Sequence, residues 1–198
     1  IGFNLDLSND SLKGAINYFD PNYNFLGNSL KYSIFSNSND NPDQGYENTL
    51  IGASIGTSFE QYKDIFATLG ISGTYDDLRT DDSASASLKK QSGEFSELSG
   101  NYGFTYDKRN RAFMPTDGSI FSFSQTLPIY ADRSFISNSI STSTYKSITE
   151  DVIGAAKFYL TAVNGIGSDD VRLSKRKYLN TRRLRGFESR KVGPLDGA

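Results

Sequence analysis

An antiparallel transmembrane β-barrel is the fold this chain predicts, and three observations predict it. Hydropathy alternates with a period of two almost throughout, and no helical stripe is sustained. The residues opposite the apolar ones are mostly Gly, Ser, Thr and Asn, where a water-soluble sandwich would carry more Lys and Glu. Connections alternate between short turns and longer polar loops, as the two ends of an outer-membrane barrel do. Small polar side chains suit a wide, wet interior, or one filled by an inserted loop.

Composition agrees. Only 36% of the 198 residues are hydrophobic and the mean hydropathy is −0.48, which is lean for a closed soluble core. Aromatics nevertheless reach 13%, with 12 Tyr and 14 Phe beside 18 Gly, which fits a wall whose alternate residues face lipid. No run approaches the roughly 18 apolar residues of a membrane-spanning helix. The chain opens on Ile1 with no readable leader and stops soon after a basic loop. Residues 1–198 are therefore expected to be part of one barrel domain cut at both ends, an open partial barrel.

The elements follow in order. Phe3, Leu5 and Leu7 alternate with Asn4, Asp6 and Ser8, and Leu12, Ile16 and Tyr18 oppose Lys13 and Asn17. Leu30, Tyr32 and Ile34 alternate with Lys31 and Ser33, while Ile51, Ala53, Ile55 and Phe59 oppose Gly52, Ser54, Gly56 and Ser58. Ile65, Ala67, Leu69, Ile71 and Tyr75 come next, opposite Thr68, Gly70, Ser72 and Thr74. Leu98, Tyr102, Phe104 and Tyr106 oppose Glu97, Ser99, Asn101 and Thr105. Phe121 and Phe123 alternate with Ser122 and Ser124; Ile136–Ile148 is serine-rich and alternates poorly. Ala156, Phe158, Leu160 and Ala162 oppose Lys157, Tyr159 and Thr161, making about nine strands in all. The apolar sets are assigned to lipid and their alternates to the lumen. Short turns are expected near Asp20–Asn28, Gln61–Asp64, Met114–Ser119 and Thr149–Asp151. Longer loops are expected at Asn37–Gly45, Asp76–Gly93, Tyr130–Ser134 and from Asn164 onward. Within the second of these loops Ser83–Ser92 reads as low-complexity and mobile.

The chain lacks Cys, His and Trp, which excludes disulfides, thiol nucleophiles, the usual zinc sites and Ser-His-Asp triads within it. The net charge of −2 hides an asymmetry: Arg172–Lys191 holds nine Lys or Arg against Glu188 alone, so the remainder sums to −10. Charge by itself leaves three readings of that basic stretch. It could be a nucleic-acid patch, which lacks a stacking platform, a solvated loop, or a loop folding back into an acidic lumen. The last has most behind it, because an arginine forks two hydrogen bonds to a carboxylate. The paired acids Asp76-Asp77, Asp81-Asp82 and Asp169-Asp170 read as exposed loop acids rather than an acid–base pair. Asp40 and Asp43 do not meet EF-hand spacing. No catalytic constellation, cofactor site or metal site emerges, and no enzymatic activity is expected.

Two motifs remain. In NYGFTYDKRNRAFMPTDG, Tyr102, Phe104 and Tyr106 fall on one strand face and Gly103, Thr105 and Asp107 on the other, before Pro115, Asp117 and Gly118 reverse the chain. Asp107-Lys108-Arg109 reads equally as a strand-end ion pair or as a functional feature. In RRLRGFESRKVGP, Arg185 stands beside a glycine and an aromatic. Together and in this order these stretches resemble the barrel domain of the outer-membrane assembly family, the BamA and Sam-type or bacterial surface antigen family. The family's loop tetrad, an aliphatic followed by R-G-F/Y, is matched by Leu184, Arg185, Gly186 and Phe187. Its aromatic strand, D-x-R and P-x-D-G turn are matched by Asp107, Arg109, Pro115, Asp117 and Gly118.

The resemblance covers nearly the whole chain. It places the first strand as the third of sixteen, likens Tyr18–Asn24 to the turn after the fourth, and puts the sixth extracellular loop after the ninth strand here. By the same resemblance the family's first and last strands and its periplasmic domains are expected to lie outside residues 1–198. Leu184 replaces the commoner Val or Ile, and Arg182-Arg183 adds charge before the tetrad. By resemblance Arg185 is a latch to acidic groups on the inner wall; the family's partners lie on later strands, and Asp107 and Glu97 are lumen-facing alternatives. The implied function is folding and inserting β-barrel proteins into the outer membrane, with no nucleotide consumed. The implied partners are the lipid bilayer, unfolded barrel clients and accessory lipoproteins, with no nucleic acid. A secretion or translocation pore of the same superfamily is the nearest alternative, ahead of a passive porin or a soluble adhesin.

Overall fold

The computed structural model describes residues 2–8, 11–42, 45–167, 170–177 and 186. Among these residues nine strands form one antiparallel sheet in chain order. They are β1 (Gly2–Ser8), β2 (Ser11–Asp20), β3 (Ser29–Asn41), β4 (Tyr46–Tyr62), β5 (Ile65–Thr80), β6 (Gly93–Asp107), β7 (Gly118–Ala131), β8 (Phe135–Ser147) and β9 (Ile153–Gly165). Each pairs with the next and β1 does not pair with β9, so the sheet is open. No helix among the described residues is long and apolar enough to cross a membrane.

The alternation read from the sequence becomes two faces. Phe3, Ile16, Ile34 and Ala53 stand side by side across β1 to β4, and Tyr18, Tyr32, Ile55 and Ile71 form the next row across β2 to β5. Phe104 lies between Ala67 and Phe123 on the same outer face. Phe3, Ile16, Tyr18, Tyr32, Ile34, Ile55, Ile71 and Phe104 are exposed, where a water-soluble core would hide them and lipid would cover them. On the inner face the small polar residues satisfy one another across strands. Ser33 donates to Asn17 at 2.8 Å, Asn101 donates to Ser72 at 3.0 Å and accepts from Thr126 at 2.8 Å, and Ser139 pairs with Thr161 at 3.0 Å.

Several strands outrun their apolar alternation. β3 continues to Asn41, β5 to Thr80 and β7 to Ala131, and β6 begins at Gly93. The expected loops 37–45, 76–93 and 130–134 shrink accordingly to 42–45, 81–92 and 132–134. Hydrogen bonding between strands persists past the lipid boundary, where the outer face no longer has to be apolar, so hydropathy stops marking the strand before the ladder ends. The stretch Ser83–Ser92 is also better built than expected. It holds a single-turn helix, α1 (Ala86–Lys89), capped by the Ser85 hydroxyl accepting from the Leu88 amide at 3.3 Å, and it buries Gln91. Strand β8 is real despite its weak pattern. Ser137, Ser139, Ser141 and Ser143 all face inward, while its outer face mixes Ile136 and Ile140 with Asn138 and Thr142.

The end of the sheet with short turns is tied together. The reversal expected at 114–119 occupies 108–117, with Pro115–Asp117 as its returning limb. Arg109 forks onto Asp107 at 2.9 and 2.6 Å, which is the geometry of a strand-end ion pair, and Asn110 bonds Thr116 at 2.7 Å across the loop. Lys108 reaches Asp64 in the preceding turn, whose hydrogen bond and charge raise the lysine above its ordinary pKa, and Lys146 of β8 reaches Asp117 at 2.8 Å. Gly118 closes the loop at φ +93°, and a Cβ there would lie 2.1 Å from the Lys108 carbonyl oxygen. Gly118→Ala is therefore expected to destabilise by at least about 1–3 kcal/mol through combined backbone strain and backbone clash. Gly2→Ala, where a Cβ meets nothing within 4 Å, serves as control; urea titration of the protein refolded in vesicles compares the two.

Candidate functional site

The basic stretch that follows β9 begins by turning onto the inner face. Arg172 precedes a 3₁₀ turn, Leu173–Lys175, and this short piece touches side chains from far-apart strands. Lys175 contacts Thr74 of β5 at 3.3 Å, Glu97 of β6 at 2.7 Å, and lies 5.2 Å from the Phe135 ring of β8. Leu173 and Ser174 line a cavity of about 200 Å³ with Lys13 of β2, Asn37 of β3 and Asn48 of β4. On a flat sheet β2 and β8 would stand roughly 29 Å apart. A three-residue turn reaches both only because the sheet is curled around it, with these residues on the concave side.

Asp76 is the centre of the contact. It is the largest fully buried side chain described, at 2% exposure. It accepts from Asn48 Nδ2 at 2.5 Å, from the Ser174 hydroxyl, and from the Arg172 guanidinium in a close ion pair. The Arg172 guanidinium also lies over the Phe95 ring, 4.4 Å from its centroid. Burial draws Arg172 down to about 10, still far above neutral, so it remains a cation opposite the aspartate. Burial lowers Lys175 too, against the opposing pull of Glu97, which is itself buried and accepts from Ser99 at 2.7 Å. The buried Gln91 accepts from the Leu173 amide at 3.0 Å, joining the two outward loops.

The outcome for the residues singled out in the sequence is mixed. Asp76 is not an exposed loop acid: it sits on the inner face of β5 and is the most deeply buried carboxylate described. Asp77 points the other way and pairs with Arg79 at 2.8 Å, and Asp81 caps its own loop by accepting from the Ser83 amide at 2.7 Å. Glu97 faces the lumen as expected and takes Lys175; Asp107 takes Arg109 at the opposite end of the sheet. Asp40 lies in β3 opposite Glu47. Asp43, Asp169, Leu184, Arg185 and Phe187 fall outside the described residues, as do Arg182, Arg183 and Arg190. Gly186 has φ +86°, a left-handed backbone that favours glycine at this place in the tetrad. Sequence reading missed Arg172 and Lys175 as individual anchors. Their signal was present as an i, i+3 cation pair at the entrance of the basic run.

A curled antiparallel sheet, apolar outside, polar inside and holding a basic loop in its concavity, is the wall of a transmembrane β-barrel. The Omp85 superfamily domain matches residues 1–198, and the chain belongs to that superfamily. It is 28% identical over 114 residues to the human sorting and assembly machinery component 50 homolog, covering 56% of this chain and 24% of that protein. It also superposes on the crystal structure of BamA from Haemophilus ducreyi lacking POTRA domains 1–3. There the TM-score is 0.81 at 22% identity, over 97% of this chain and 40% of the other. The chain thus spans about a quarter and two fifths of these relatives' lengths. It is an outer-membrane β-barrel, as the resemblance of its two motifs implied.

Proposed function

We propose that the protein is an outer-membrane assembly factor that folds and inserts other β-barrel proteins. In this reading residues 1–198 are part of one longer barrel domain, with periplasmic domains elsewhere in the polypeptide. The superfamily is one of assembly and transport rather than of enzymes. The observation that carries the reading is the docking of the basic loop's base on the inner wall, immediately upstream of the tetrad Leu184-Arg185-Gly186-Phe187. In this mechanism the barrel offers strand edges that template incoming strands, since unpaired backbone groups are intolerable in lipid. The implied partners are the lipid bilayer, unfolded barrel clients and accessory lipoproteins. Asp107, Arg109, Pro115, Asp117 and Gly118 serve by keeping the turn rim in one shape.

Arg185 is assigned as the latch that ties the loop tip to a carboxylate of the inner wall. Arg185→Ala is expected to lower the yield of heat-modifiable, folded client barrels about tenfold or more in cells depleted of the parent, the equivalent of about 1.4 kcal/mol. Arg185→Lys should restore it only partly, because an ammonium cannot reproduce the planar fork. Arg190→Ala is the control. Equal client yields from the alanine variants at 185 and 190 would remove the latch. Normal client assembly combined with loss of one exported partner protein would replace assembly by secretion.

A further inference from the structure

The inner wall carries a patch whose spacing matches the loop's base. Two consecutive inward cross-strand pairs of β5 and β6 form it: Thr74 opposite Glu97, and Asp76 opposite Phe95. Lys175 contacts both members of the first pair, and Arg172 both members of the second. Inward residues two apart on a strand are separated by about 6.7 Å. Residues three apart on a 3₁₀ turn are eclipsed and about 6 Å apart. The two repeats therefore coincide, cation over pair and cation over pair.

The carboxylates need the loop. Without Arg172 and Ser174, the described partner left to the buried Asp76 is the neutral amide of Asn48. Without Lys175, the described partner left to Glu97 is the Ser99 hydroxyl. A docked loop without these cations would bury the carboxylates with little compensation, which is costly. Nothing else in β5 or β6 explains two buried acids on adjacent inner positions.

We propose that Arg172 and Lys175 are positioning residues, a clamp closing on Asp76–Phe95 and Glu97–Thr74 that holds the loop's base in the lumen independently of Arg185. The clamp leaves only residues 176–183 between its last contact and Leu184, so the start of the tetrad stays within roughly 30 Å of Lys175. The significance of that delivery rests on the assembly reading above; the clamp itself does not.

The test uses the full-length protein in native outer membranes, with a reporter thiol at Leu173→Cys and any cysteine outside these residues changed to serine. Labelling by a membrane-impermeant maleimide is timed in each variant, and heat-modifiable gel mobility confirms that the barrel is folded. The reporter should label slowly in the parent and about tenfold or more faster in Asp76→Arg and in Arg172→Asp, as local opening requires. The exchange Asp76→Arg with Arg172→Asp should restore slow labelling. Arg172→Asp alters no strand residue, so it remains informative if Asp76→Arg fails to fold. Labelling as slow in folded Arg172→Asp as in the parent overturns the clamp. So does rapid labelling in Arg185→Ala, which would mean the tetrad alone holds the loop. Slow labelling in Arg185→Ala supports the clamp; normal client assembly in that variant removes only the latch, and normal client assembly in cells depleted of the protein removes only the assembly reading.

Discussion

Arg172→Ala is expected to destabilise the protein by up to about 3–5 kcal/mol, the cost of leaving one partner of a buried ion pair uncompensated. Burial decides the size here: the paired side chains retain 7% and 3% of their exposure, where surface pairs contribute about 1 kcal/mol or less. Water reaching the lumen through the neighbouring cavity of about 200 Å³ pulls the value toward the lower end. Arg172→Lys should recover part of the loss in charge but not the stacking on Phe95. Replacing the pair together, Arg172→Met with Asp76→Leu, should cost much less than either single change, since no charge is then stranded. Urea unfolding of the full-length protein from lipid vesicles measures all five variants. A single alanine indistinguishable from the double replacement would mean that the pair is already solvated.

Arginine at Ile71 is the second large effect expected, about 2–4 kcal/mol if the side chain meets the bilayer near its midplane. Ile71 is 49% exposed on the outer face, between Ile55 and Gly100 and six residues past the start of β5. Phe104 is exposed to a similar degree, 45%, but lies three residues before the end of β6 at Asp107 and thus nearer the interface. Phe104→Arg should therefore cost less than Ile71→Arg. Thr105→Arg, on the inner face beside Ser122, should cost less again. Folding into vesicles ranks the three. Equal penalties at 104 and 105 would overturn the assignment of faces.

The strands were legible where lipid demanded it. Along Ile65–Tyr75 every outward residue but Gly73 is apolar, so a period of two stands out. Along Asp76–Thr80 neither face is required to be apolar, and the same strand reads as loop. That is why Asp76 was misjudged: the inward series Thr74, Asp76 and Leu78 continues unbroken, but its outward partners Asp77 and Arg79 are charged. The turn motif was legible because Pro115, Asp117 and Gly118 have narrow backbone preferences. Its ten-residue extent was not, since side-chain bonds such as Asn110 to Thr116 define the loop and leave no hydropathy trace. The inward folding of the basic stretch could be argued from charge balance, whereas its docking partners depended on which acids the sheet buries.

The pairing of β5 with β6 also ties the docking of the loop to strand register. Thr74, Asp76, Phe95 and Glu97 share the inner face in one alignment of the two strands. A slip of β5 by one residue would turn Asp76 out toward the hydrocarbon and present Tyr75 and Asp77 inward. The loop could then find no matched pair of sites. Its docking accordingly follows correct alignment of the hairpin and rewards no other, so the arrival of Arg172 and Lys175 acts as a late checkpoint on strand register, made by a segment that is itself no part of the sheet.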